Sequence, residues 1–343
     1  MSNHWGQKQM MQRLVKYREL RPCLNAFVDT YTPGSDQKEN FTIIGAGVAE
    51  SPDQHVHINE AHGFNIGGAR QPPGCLNSQH SHTTEEVFVV HSGTWAFRWG
   101  DECQDGEAIL QEGDCISIPV NVFRGFENVG EGLGFLYAVL GGSDAGNVKW
   151  APDVFDKAED YGLVLLENGS LVDTTTGASI PEGVAAMPRT SDAEVKAHRV
   201  MSVAEMLDCV CTVEEQSVAV GSDFMSQSTG LKESPIIGAA NADEGIAAGK
   251  LSWTHGFQVR RWDVAAQGQS VDYSRQEEEV VFVHRGHLTF SWQDQGESHE
   301  LSMEEGDVLT VPKGIKHHFS NLSDTDTVAY VTVGGNQPHA PIQ

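Results

Sequence analysis

Two histidines one residue apart, His80 and His82, followed by a carboxylate at Glu86, are the residues of this 343-residue chain best placed to do chemistry. They lie in QHSHTTEEVFVVHSG, residues 79–93, ahead of an apolar run closed by Gly93. Positions 80, 82 and 86 share parity, so on extended backbone their side chains face one side. Two neutral imidazoles and one carboxylate suit one divalent transition metal, Fe, Mn, Ni, Co or Zn. On Fe(II) such a set leaves open positions for substrate and O2. The bland alternative is a polar strand end carrying surface histidines.

The elements that would position these residues are repeated. At an offset of 193 residues, IIGA at 43–46 returns at 236–239, HGF at 62–64 at 255–257, and EEVFVVHSG at 85–93 as EEVVFVHRG at 278–286. EGD at 112–114 faces EGD at 305–307, Pro119 faces Pro312, and Asn128 faces Asn321, with no gap. A register held that long marks a duplicated domain. Each copy reads as short apolar strands bounded by Gly, Asp and Asn, the pattern of an all-β barrel or sandwich. Between the copies the character changes. Pro152 opens a helix that Gly162 ends, and Ser202 with Glu205 reads as a capping box. The expected organisation is an N-terminal helical arm at 1–40, copy one at 41–145, a partly helical connector at 146–230 and copy two at 231–343.

Composition narrows the partners. With 22 basic against 48 acidic side chains the net charge is −26, which excludes a nucleic-acid or anionic-membrane partner, since both require a basic patch. The first twenty residues lack the apolar stretch of a signal peptide and read as a short amphipathic helix. Six cysteines, at 23, 75, 103, 115, 209 and 211, show no disulfide framework; Cys209 and Cys211, a C-x-C pair with no second pair nearby, read as ordinary buried thiols rather than metal ligands, and a reducing cytoplasm is expected.

Gly74-x5-His80-x-His82-x3-Glu86-x6-Gly93, followed by Gly113-x5-Pro119 and Asn128, resembles the two motifs of the cupin superfamily. Over 43–142 and 236–335 the chain is similar to a two-domain member, a bicupin. The resemblance implies two antiparallel jelly-roll barrels, often with a divalent metal inside. It does not name a reaction, because fold and activity are separable. The family's second motif ends in a further histidine ligand. Here copy one carries Arg124 at that position and copy two keeps His317, but copy two has Tyr273 and Arg275 where copy one has His80 and His82. Neither copy holds the full set. A metal is expected on His80, His82 and Glu86 in copy one and not in copy two, where Arg275 is expected to pair with Glu279.

Arg124 stays protonated and cannot ligate. Beside a metal it would favour a small anionic substrate held by its fork; alternatively it pairs with Glu86 and replaces the metal. His62, one strand ahead of the motif, is a candidate proton-transfer residue. His91 and His284 fall on the opposite face from Glu86 and Glu279. His55 and His57 copy the ligand spacing outside the motif and are expected at the surface. Trp95, Phe97 and Trp99 are expected in packing. The leading expectation is an Fe-type dioxygenase acting on a small carboxylate-bearing substrate, aromatic or not. A metal-assisted lyase, decarboxylase or isomerase is the first alternative, and a non-catalytic metal-free bicupin the second. A further homodimer is compatible with, but not specified by, the sequence.

Overall fold

The computed structural model describes residues 4–146, 148–216 and 221–343. Two compact units are present, one over residues 21–210 and the other combining the first twenty residues with those from Cys211 onward.

In the first unit, strands form where alternate residues are apolar and end where glycine or a polar turn intervenes. They are β1 (Glu39–Ile44), β2 (Phe64–Gln71), β3 (Leu76–Ser81), β4 (Glu86–Ser92), β5 (Trp95–Trp99), β6 (Gly106–Leu110), β7 (Cys115–Ile118), β8 (Arg124–Asn128), β9 (Gly134–Gly141) and β10 (Lys149–Trp150). One antiparallel sheet runs β7-β4-β9-β2-β1, the other β10-β3-β8-β5-β6. Gly93, at φ +89°, makes the turn from β4 to β5, and a Cβ there would sit 2.9 Å from the Gly134 Cα; only glycine meets both demands. Phe88, Phe97 and Phe126 pack ring to ring at 5.2–5.7 Å between the sheets. Trp95, Phe97 and Trp99 are all buried, as packing residues should be.

The connector as far as Val210 belongs to this unit, and its remainder to the other. Helix α1 (Pro152–Asp160) has proline in its first turn and buries Val154 and Ala158. Helices α2 (Asp192–Ala197) and α3 (Val203–Leu207) each start with a full capping box, Ser191 with Glu194 and Ser202 with Glu205. The second of these is the box expected from the sequence.

The second unit contains β11 (Thr229–Ile237), β12 (Phe257–Gln269), β13 (Glu279–Arg285), β14 (Leu288–Asp294), β15 (Glu297–Met303), β16 (Val308–Val311), β17 (His317–Ser320) and β18 (Thr327–Gly334). They are ordered β16-β13-β18-β12-β17-β14-β15, with β11 on β12. Among the described residues the N-terminal arm has an α-helix over Gln7–Met11 and a short 3-10 turn over Tyr17–Glu19. Between the two it extends, and Leu14 and Val15 pair with Leu309 and Val308 on the edge of β16. Arg13 Nε donates to the Thr310 carbonyl at 3.1 Å, and Trp292 Nε1 donates to the Trp5 carbonyl at 2.7 Å. An uncovered edge strand is thereby paired, which offsets the marginal stability of so short a helix. All six cysteines are free thiols, and no helix among the described residues is long and apolar enough to cross a membrane.

Candidate metal centre and its cavity

His80 lies at the end of β3, His82 just beyond it, and Glu86 opens β4. The ligand-capable atoms of the three lie within 4.8 Å of one another, and all three residues are buried. The three meet, but Glu86 stands on the next strand, in the other sheet, so the turn over 82–85 and not strand alternation brings it to the histidines. His80 Nδ1 is 2.6 Å from the Ser78 carbonyl oxygen. Only a protonated Nδ1 makes that bond, so Nε2 carries the lone pair, the arrangement of a histidine oriented for a metal. Burial, the Arg124 guanidinium and His82 hold His80 well below the ordinary imidazole range, so it is neutral at neutral pH.

Arg124 stands directly opposite His80 in the β8–β3 pairing. Its Nη1 donates to the His80 carbonyl at 2.8 Å and its Nη2 to Glu86 Oε2. The other carboxylate oxygen, Oε1, lies 3.8 Å from His82 Nε2. The two oxygens of Glu86 thus have separate duties: one is held by a cation, the other faces the histidines. Burial pushes the Glu86 carboxyl above its usual range, while the charge and hydrogen bond of Arg124 pull it down.

Behind β3 the segment before β1 supplies support that the sequence reading did not find. Asp29 Oδ2 accepts from the Ser78 N–H at 3.0 Å, and Lys38, fully buried and paired with Asp29, donates to Asn77 Oδ1 at 2.9 Å. On the other edge Trp150 and Lys149 pair with His80 and Ser81, and the Trp150 ring lies 5.3 Å from that of His80. His198, at the end of α2, forms a 2.9 Å hydrogen bond with Ser81 Oγ and stacks on Phe123 at 4.0 Å. No motif marks these residues; they are sequence-distant and meet the site only through the fold.

A cavity of about 70 Å³ opens on the three candidate ligands. Its wall includes Phe27, Phe41, Ile66, Phe88, Phe126, Leu140, Val148 and Trp150, with Asn40, Thr42, Asn65 and Asn77 as polar members. Neither Arg124 nor His62 is among the lining residues. His62 instead holds the Glu60 carbonyl through Nδ1 at 2.8 Å and meets the Phe64 ring. His91 is likewise off the cavity, against Phe135. His55 and His57 contact each other, with the Arg21 N–H donating to His57.

In copy two the equivalent interior is closed by charge. Tyr273 pairs with His317 across the chain, the same register as His80 with Arg124. Arg275 Nε donates to Glu279 at 3.2 Å and its Nη2 to Glu244 at 3.0 Å, while Arg260 binds Glu244 through both Nη atoms. His317 Nε2 lies 3.3 Å from Glu279, and Tyr273 donates to the same carboxylate at 3.1 Å. Burial works to lower the Arg275 guanidinium, and Glu279 and Glu244 outweigh it and raise it. Among the described residues no second cluster able to hold a metal is present. His318 points away, toward Asp272.

Comparison with known proteins agrees with this architecture. The cupin domain family model matches residues 69–139 and 260–334. A search of curated proteins finds no match. Among solved structures, a deletion mutant of Bacillus subtilis oxalate decarboxylase is similar over 96% of this chain and 79% of its own, at 14% identity and a TM-score of 0.57. A formate complex of the Lactobacillus farciminis oxalate decarboxylase is similar over 100% and 89%, at 12% identity and a TM-score of 0.57. A further Bacillus subtilis oxalate decarboxylase structure, from a study of its Mn(II) centres, matches at 13% identity and a TM-score of 0.56. Such identities establish the fold alone. With the duplicated register and a family match in each copy, the chain is a two-domain cupin protein.

Proposed function

We propose that this protein is a metal-dependent bicupin that carries out a non-oxidative reaction, of lyase or decarboxylase type, on a small organic acid in the first barrel. The supporting observation is the buried trio of His80, His82 and Glu86, with the His80 tautomer fixed by the Ser78 carbonyl. These residues fit a divalent ion, Mn(II) among them, and Glu86 offers it Oε1 while Arg124 keeps Oε2. A bound divalent ion would supply Lewis acidity toward a substrate oxygen. The chain's own residues position the ligands, exclude water through the aromatic wall, and leave an anionic substrate electrostatically favoured. Arg124, expected as a substrate anchor, is better read as a positioning residue, since its fork is occupied by Glu86 and the His80 carbonyl.

The oxygenase expectation finds no counterpart in these structural relatives, which are decarboxylases, so the lyase alternative is the one favoured. Anaerobic incubation of the Mn(II)-loaded protein with a panel of small keto and dicarboxylic acids tests it. Product release without O2, lost in His80→Ala, is expected; strict dependence on O2 would return the assignment to the oxygenase. The Arg124–Glu86 pair also supports a metal-free reading, in which the barrel is structural. Elemental analysis of the purified protein distinguishes the two.

A further inference from the structure

The two copies share a register on β2 and β12: Gly67 pairs with Ala138, and Arg260, 193 residues on, pairs with Val331. In copy two the Arg260 side chain turns inward and is fully buried. Its guanidinium grips Glu244 through both Nη atoms, Arg275 binds the same carboxylate, and Arg275 also binds Glu279. A side chain rooted at 260 therefore fills the interior as far as the partner of Arg275, the counterpart of His82. Copy one has neither group. Gly67 stands in place of Arg260 and Ser51 in place of Glu244, and Ser51 Oγ donates instead to Asn25 at 3.2 Å. Where copy two packs an ion pair, copy one keeps a cavity of about 70 Å³ with Gly67, His82 and Glu86 all in its wall.

The backbone does not call for glycine at 67. The residue lies inside β2 and outside the left-handed region. A Cβ built there meets only the Phe41 carbonyl oxygen, at 3.2 Å. Glycine weakens a strand interior, and where no turn or bulge needs it, it marks a close approach of something else. Gly67 is level with Ala138 and Phe88, one inward-facing step along the sheet from the level of Glu86, Leu140 and Asn65. That step is about 7 Å, within the length of a short organic acid.

Resting on the metal-site reading above, we propose that Gly67 is the specificity-determining residue of the first barrel. Its missing side chain makes the chamber that receives the body of a small organic acid, and so limits the size of that body. Copy two is the same fold with the chamber filled.

Two probes test this. Xenon, which enters apolar cavities and needs no metal, is followed by NMR on the stripped protein, and butyrate is titrated calorimetrically into the Mn(II)-loaded protein. In Gly67→Leu xenon uptake should vanish and butyrate should bind at least about tenfold more weakly. Mn(II) uptake should be unchanged and the melting temperature equal to or above that of the wild type, because a strand glycine is replaced and a void is filled. Gly67→Val repeats the test with a shorter side chain at the same place. No xenon uptake by the wild type, butyrate binding that survives in a variant that folds, or a loss that comes with a lower melting temperature in both variants would overturn the proposal. Xenon held by the wild type and lost in the variants, with no Mn(II) uptake or butyrate binding by any of them, would sink the metal-site reading alone.

Discussion

Arg124 and Glu86 form a buried ion pair inside the first barrel that uses only one oxygen of the carboxylate. The guanidinium also holds the His80 carbonyl, so a single side chain ties the strand carrying the histidines to the strand carrying the carboxylate. Replacement of the family's fourth ligand by arginine need not abolish a metal site, because Oε1 still faces His82.

Removing that cation exposes what it does. Arg124→Leu leaves Glu86 buried without its partner, and the metal-free variant should lose about 3–5 kcal/mol of stability. Mn(II) should then raise its melting temperature more than that of the wild type, because the ion supplies the missing positive charge. Urea and thermal unfolding with and without Mn(II) measure both effects; a variant as stable as the wild type would mean Glu86 does not depend on Arg124.

His198 acts through Ser81, which sits between the two histidines, and through Phe123, which adjoins Arg124. His198→Ala should weaken Mn(II) binding roughly 10- to 100-fold, the range for groups that orient ligands. A second variant, Ser81→Ala, should show the same loss. Unchanged affinity in both, by titration, would reduce this contact to packing.

The second barrel should respond differently. Arg275→Met leaves Glu279 buried without its arginine, while Glu244 keeps Arg260, at a cost of about 3–5 kcal/mol. Metal stoichiometry should stay at the wild-type value. A variant that took up a second ion would show that charge pairing had merely displaced one.

Burial holds both His91 and His255 down to about 4. A histidine depressed from about 6.5 in the unfolded chain contributes stability that is complete above that value and is lost as pH falls toward 4. Each should contribute up to about 3 kcal/mol of acid destabilisation across that window. Chemical denaturation of His91→Gln and His255→Gln between pH 7 and 4 should give flatter profiles than the wild type; parallel profiles would mean the rings are hydrated.

Much of this was legible beforehand, and for identifiable reasons. The repeat pointed to two barrels because a 193-residue register leaves few other folds, and the spacing picked out His80, His82 and Glu86, although a turn between two strands rather than alternation along one brings Glu86 to the histidines. Arg275 on Glu279 was expected from the repeat, and it forms across the equivalent turn. The arm was legible in part: Gln7–Met11 is helical, as its pattern suggests, whereas nothing in the pattern marks the pairing of Leu14 and Val15 with β16. The division of labour between the oxygens of Glu86, the Asp29–Lys38 brace and His198 depend on side chains brought together from 29 to 198. No spacing rule encodes such contacts.

The central claim is that the first barrel alone holds a divalent metal. Its most direct test is titration of the stripped protein with Mn(II), read by calorimetry and by the electron paramagnetic resonance of the bound ion. One ion per chain is expected, retained in Arg275→Met and lost in His80→Ala and Glu86→Gln. No saturable uptake by the wild type, or uptake that survives His80→Ala, would contradict it.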